Sequence, residues 1–200
     1  MSQALFPASY PALKTVVLNG SLHKPSRTQV LLDHVGDALA RHVALDRQSI
    51  ELADIATEVG SALYPEQLPP RAREAVAAIE AAEFLIVGSP VYRGSVPGLF
   101  KHLLDLIGME SLVGKPVLLA ATGGSPRHSL VLDHQLRPLF AFFQTLTLPI
   151  GVYSVSQDID NGQIVDAALR ERVELAATLA APALQGLVQR KAGLPPSAAV

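Results

Sequence analysis

Five short strand-like runs alternate with helix-like segments along this chain, and that alternation narrows the possible folds more than any other feature. The runs are residues 13–18 (LKTVVL), 47–52, 84–87 (FLIV), 116–121 (PVLLAA) and 146–155. Most are apolar on both of the faces that a period of two would create. Strands buried on both faces belong to parallel sheets covered by helices on either side. The helical segments between them are legible from spacing and from punctuation. Leu31, Val35, Leu39 and Val43 recur four apart within residues 28–44. Pro69-Pro70 opens a helix to residue 82, since proline is tolerated in a first helical turn. Residues 97–107 and 128–143 read as two further helices. Asp166 reads as the N-cap of a last one, to about residue 181. Residues 53–68 read as a loop or irregular structure. Asp160-Asn161-Gly162 reads as a turn, with a short extended piece at 163–165 that would make it a hairpin. One domain is expected over residues 13–188, preceded by an extension at 1–12 and followed by a disordered tail at 189–200.

Composition removes several classes of function. Two hundred residues suffice for one sizeable α/β core. No apolar run approaches the length of a membrane span. The opening MSQALFPASYPALK carries no early positive charge and no apolar stretch of signal length, so a cytoplasmic protein is expected. The chain has no cysteine, which excludes disulfides, thiolate metal sites and a cysteine nucleophile, and no metal site is expected. A net charge of -2 argues against nucleic-acid binding and against a strongly acidic electron carrier.

Ligands of doubly wound sheets sit beyond the carboxyl ends of the strands. Three loops leaving those ends carry unusual chemistry. The first, Asn19 to Thr28 (NGSLHKPSRT), offers hydroxyls at Ser21, Ser26 and Thr28 and the cation of Arg27 at the start of a helix. Helix N-termini present unpaired N–H groups and partial positive charge, which suits a phosphate. A simple helix cap with solvated Lys24 and Arg27 is the plainer alternative. The loop matches neither GxGxxG nor the GK[ST] ending of a P-loop, so a mononucleotide phosphate fits better than a dinucleotide or a nucleoside triphosphate. The second loop, from Gly88 to Pro97 (GSPVYRGSVP), mixes stiff prolines with glycines that admit a flat ligand near the backbone. Tyr92 there is either packing or a stacking partner. The third, Thr122 to Pro126 (TGGSP), is either a turn or a second wall. His128 and His134 fall on a predicted helix and read as surface or core histidines, so no catalytic residue is assigned.

Together these loops resemble the NAD(P)H-dependent FMN reductase family. The resemblance rests on Gly20-Ser21 with Pro25-Ser-Arg-Thr28, on Ser89-Pro-Val-Tyr-Arg-Gly94 with Gly98-Leu-Phe-Lys-His102, and on Ala121-Thr-Gly-Gly124. It runs from about residue 14 to about residue 179. Within the family the chain is most similar to the reductase components of bacterial sulfonate-assimilation systems, and more to the methanesulfonate than to the alkanesulfonate type. The latter has a tyrosine inserted in its fourth helix that forms a π-bulge, and His134 stands at that place here.

What the resemblance implies is specific. The fold would be α/β and flavodoxin-like, with a five-stranded parallel sheet in the order 2-1-3-4-5. Ser21, Ser26, Arg27 and Thr28 would hold the FMN phosphate. Pro90, Val91, Tyr92, Arg93 and Gly94 would line the isoalloxazine and ribityl chain. Thr122, Gly123, Gly124 and Ser125 would close the ring pocket, where the nicotinamide of NADH or NADPH stacks. Hydride would pass between the cofactors, and reduced FMN would go to a partner flavin-dependent monooxygenase. An FMN-bound quinone or azo reductase and a flavodoxin-type electron carrier are the rival readings. A homodimer or homotetramer is expected, because residues 136–148 (LRPLFAFFQTLTL) carry more apolar surface than one helix and one strand end can bury.

Overall fold

The computed structural model describes residues 10–194. Its central sheet is built from β1 (Leu13–Asn19), β2 (Leu45–Glu51), β3 (Phe84–Pro90), β4 (Pro116–Gly123), β5 (Leu146–Thr147) and β6 (Val152–Val155). The order is β2-β1-β3-β4-β5, every pairing is parallel, and β6 also pairs with β4. This is the flavodoxin order of the doubly wound folds. The run expected at 146–155 is a single strand position broken in two around Pro149, which has no N–H to give to the ladder. The break leaves β5 on Pro116–Val117 and β6 on residues 120–123 of β4.

Period-two alternation sends the strand side chains into two cores. Val16, Leu18, Leu85, Val87, Val117, Leu119 and Ala121 face one side. There they meet α2 (Leu52–Ser61), α3 (Pro70–Ala81), α4 (Gly98–Asp105) and α5 (Arg137–Phe142). Leu13, Val17, Phe84, Ile86, Leu118 and Ala120 face the other, against α1 (Arg27–Ala40) and α6 (Ala167–Lys191). Gly88 lets the first turns of α1 lie directly on β3. A Cβ at that position would fall 2.8 Å from Leu32 Cδ2 and 2.9 Å from Thr28 Cγ2.

Three segments depart from expectation. The stretch read as irregular at 53–68 contains α2, whose Leu52, Ile55 and Val59 are buried at helical spacing. Helix α6 continues ten residues past the expected end, through Pro182 to Lys191. Leu184 and Val188 bury their side chains, and Lys191 donates to the carbonyl of Ala12 at 3.0 Å, so tertiary contacts hold the helix past the proline. The helix expected at 128–143 is three pieces: a 3-10 turn over Pro126–His128, a π turn over Leu132–Leu136 and then α5. The Arg137 N–H donates to the carbonyl of Leu132, five residues back, so a π-bulge does occupy the place of His134. The turn at Asn161-Gly162 joins β7 (Ile159–Asp160) to β8 (Gln163–Ile164) in an antiparallel hairpin. Of the expected extension at 1–12 and disordered tail at 189–200, residues 1–9 and 195–200 lie outside the described residues, whereas residues 189–191 are the last turn of α6. Among the described residues, no helix is long and apolar enough to cross a membrane.

Candidate functional site

A cleft of about 570 Å³ opens at the carboxyl edge of the sheet. The three loops singled out above meet in it. Ser21, Ser26, Arg27 and Thr28 line one end, Pro90, Val91 and Tyr92 another wall, and Thr122, Gly123 and Gly124 a third. Arg93, Gly94 and Ser125 are not on its lining. Arg93 and Gly94 form the tip of the turn bridged by Tyr92 and Ser95, both at positive φ (53° and 85°). Ser125 sits behind the third wall, where its carbonyl accepts the Tyr153 hydroxyl at 2.7 Å. His128 and His134 are exposed and do not line the cleft.

The first loop is shaped by its own hydrogen bonds. The amide of Ser21 donates to Asn19 Oδ1 at 2.9 Å, and the Ser21 hydroxyl closes a turn on His23 at 3.2 Å. Ser26 caps α1, its Oγ accepting from the Gln29 amide at 3.3 Å. A capping hydroxyl still has its own proton to donate. The Thr28 hydroxyl is committed across the cleft floor to that of Thr122, at 2.7 Å, and both are buried. That bond ties the first loop to the end of β4. The two loop cations divide. Lys24 turns away to Glu51 and Asp54, at 3.0 and 2.7 Å, and the Asp54 hydrogen bond leads in raising its ammonium above the ordinary lysine range. Arg27 is exposed, lines the cleft and has no ion-pair partner among the described residues.

The second and third walls are packed from below. Val91 N–H donates to the Thr122 carbonyl at 2.7 Å, joining the second loop to the end of β4 one residue past β3. Tyr153 from β6 supports Gly123. A Cβ there would run into its hydroxyl, which burial keeps harder to ionise than an ordinary phenol. A Cβ at Gly124, by contrast, would meet no atom within 4 Å. The glycine therefore leaves open backbone where a side chain would project.

A fourth wall was not foreseen. The hairpin formed by β7 and β8 brings Ile159, Asp160, Asn161 and Gly162 to the cleft, and Val155 and Ser156 lead into it. His23, Pro25 and Val30 complete the side nearest α1. The His23 ring lies 6.0 Å from that of Tyr92, closing the gap between the first two loops. The Asn-Gly turn signalled the hairpin, but nothing in its pattern signalled that it folds back over the cleft.

The donors at one end have a common character. The N–H groups of Arg27 and Thr28 stand in the first turn of α1, where no intrahelical acceptor exists. With the Ser26 hydroxyl and the free guanidinium, they form a cradle for an anion. The walls at Pro90–Tyr92 and Thr122–Gly124, with open backbone at Gly124, can admit a planar ring. A group such as a flavin mononucleotide fits this arrangement of residues.

Residues 13–160 match the family model described as NADPH-dependent FMN reductase. The chain belongs to that family. It is 54% identical over 170 residues to the NADH-dependent FMN reductase SfnF of Pseudomonas fluorescens, covering 85% of this chain and 91% of the relative. It is 51% identical over 173 residues to an FMN reductase (NADPH) of Pseudomonas aeruginosa, covering 86% and 93%. Among solved structures, an oxidoreductase from Corynebacterium diphtheriae is similar with a TM-score of 0.74 and 31% identity, over 86% of this chain and 96% of the other. An FMN reductase of this family therefore places its three loops and one hairpin around a single cleft.

Proposed function

We propose that this protein reduces FMN with NADH or NADPH, and that it releases the reduced FMN to a partner flavin-dependent monooxygenase. The observation that carries the first part is the convergence of unpartnered donors at the N-terminus of α1 with the walls at Pro90–Tyr92 and Thr122–Gly124 in one cleft, in a chain about half identical to FMN reductases. Ser21, Ser26, Arg27 and Thr28 hold the phosphate. Ser21 acts through the turn that it closes, and Thr28 through its amide, since its hydroxyl is shared with Thr122. Pro90, Val91 and Tyr92 line the ring and ribityl chain, with Arg93 and Gly94 forming the turn that sets Tyr92. Thr122, Gly123 and Gly124 form the opposite wall, with Ser125 anchoring it to Tyr153.

FMN, when bound, supplies the hydride acceptor, and nicotinamide the donor. The protein's part is alignment. The Thr28–Thr122 bond and the Val91–Thr122 bond hold the walls at fixed spacing, so that two flat rings meet face to face. No general acid or base is required of the side chains. Release is supported by the exposure of Arg27, the one lining residue with a fixed positive charge, and by the resemblance to sulfonate-system reductases.

The test is NAD(P)H oxidation by dialysed protein, with and without added FMN and with each nicotinamide. Saturable stimulation by FMN is expected. A fixed rate with one retained FMN per chain would overturn release and favour a quinone or azo reductase.

A homodimer or homotetramer belongs to this reading. Met109 and Phe142 are 68% and 63% exposed beside a groove of about 550 Å³ between α4 and α5. Apolar surface of this kind marks interfaces. Light scattering at micromolar concentration should give at least twice the chain mass, and a monomer would refute it.

A further inference from the structure

The hairpin wall carries an unexpected charge. Asp160 lines the same cleft as the anion cradle, and its strand β7 packs against α1. Among the lining residues, Arg27 is the one fixed cation and Asp160 the one carboxylate. Asp160 is not neutralised: no lysine or arginine pairs with it among the described residues, and its carboxylate accepts a hydrogen bond from the side-chain amide of Asn161 at 3.2 Å. The hairpin is also well anchored. Ile159 and Ile164 bury their side chains, and the Val165 amide donates to the Asp158 carbonyl at 2.8 Å. Asp158 Oδ2 in turn accepts from the Val155 amide at 2.7 Å. A carboxylate is therefore held at the edge of a cleft built to receive phosphate.

We infer that Asp160 is an affinity-setting residue: its charge opposes the flavin phosphate and keeps FMN exchangeable. This rests on the proposed phosphate site at α1 and deepens it. A cleft meant to retain its flavin would gain from a neutral or basic residue at this wall. A cleft meant to release it gains from a like charge. The charge is exposed, so the opposition is a through-solvent effect that salt weakens. A hydrogen bond from Asp160 to ribityl hydroxyls would act with the opposite sign, and the same variant distinguishes the two.

The experiment compares Asp160→Asn with the unsubstituted protein, using quenching of flavin fluorescence to measure binding of FMN and of riboflavin, which lacks the phosphate. Asparagine keeps the shape, and β7 and β8 pair through their backbones, so the hairpin is preserved. FMN should bind roughly three- to tenfold tighter to the variant at low salt, with the gain shrinking as salt rises. Riboflavin affinity should not change. Equal tightening of both flavins, or unchanged FMN affinity, overturns the inference. Weaker FMN binding also overturns it and makes Asp160 a hydrogen-bonding ligand. Should the unsubstituted protein bind FMN no better than riboflavin, the phosphate site itself fails, which is a separate result.

Discussion

Arg27→Ala removes the one fixed cation on the cleft lining and disturbs nothing else the structure shows. The side chain is exposed and makes no ion pair among the described residues, so folding stability should stay within about 0.5 kcal/mol. The backbone N–H at residue 27 remains, as does the Ser26 cap on Gln29. What is lost is a charge-assisted contact to phosphate, worth about 1.5–3 kcal/mol where shielded from water. Exposure of Arg27 discounts that toward about 1–2 kcal/mol, or a five- to thirtyfold rise in the FMN dissociation constant. Hydride transfer at saturating FMN should be unchanged, because the cradle lies at the opposite end of the flavin from its reacting ring. The assay is a fluorescence titration with FMN beside steady-state NADH oxidation at several FMN concentrations. The KM for FMN should rise while kcat holds. An unchanged dissociation constant would remove Arg27 from the phosphate site. A fall in kcat at saturation would mean that it acts on ring alignment.

Thr28→Val leaves the Thr122 hydroxyl buried without its partner, at a cost of about 1–3 kcal/mol in chemical denaturation, and Thr28→Ser should recover most of it. Wild-type stability for the valine variant would show that the bond between the walls contributes nothing. Gly88→Ala pushes a methyl group into Leu32 and Thr28, so overpacking should destabilise by about 1–3 kcal/mol and lower Tm by several degrees. An unshifted melting curve would contradict the close seating of α1 on β3. Burial alone would raise the Glu83 carboxyl, but hydrogen bonds from the Lys191 ammonium and the Lys14 amide outweigh it and hold it below its usual 4.5. A depressed carboxyl stabilises the fold above its unfolded-state value and loses that contribution as pH falls through the folded one. Glu83→Gln should therefore be less stable at neutral pH by less than about 1 kcal/mol, with the difference lost as pH falls below 4.5 and through the lower folded-state value. A difference that persists in acid would show that charge is not its cause.

The sheet was legible because a short, fully apolar run such as FLIV, stopped at Gly88-Ser-Pro90 and set between helical segments, reads as a strand buried on both faces. The three loops were legible because glycine, proline and hydroxyls at strand ends restrict what the backbone can do there. Helix α2 was missed although Leu52, Ile55 and Val59 sit at helical spacing, because β2 runs into it with no break and Gly60 and the later prolines suggest a loop. Pro182, one residue past the expected end of α6, is a local reason for a helix to stop there. The contacts that carry the helix onward, from Gln185 to the His42 carbonyl and from Lys191 to Glu83, are between segments far apart in the chain. The same limit hid the fourth wall. Local sequence announces a turn at Asn161-Gly162, but only the tertiary path from β6 through residues 156–158 brings Asp160 to the cleft. Lys24 and Arg27 looked alike as loop cations. Their separation depends on Glu51 and Asp54, which the fold brings beside Lys24 from the end of β2 and the first turn of α2.

In the proposed function, FMN enters and leaves this cleft as a substrate. It is tested most directly by reducing excess FMN with NADH under anaerobic conditions in the presence of catalytic protein, then passing the mixture through a protein-retaining membrane. Many reduced FMN molecules per chain should appear in the filtrate, in proportion to the NADH consumed. If reduced flavin instead stays with the protein at one per chain, and free FMN passes through still oxidised, the cleft holds a resident cofactor and FMN is not its substrate.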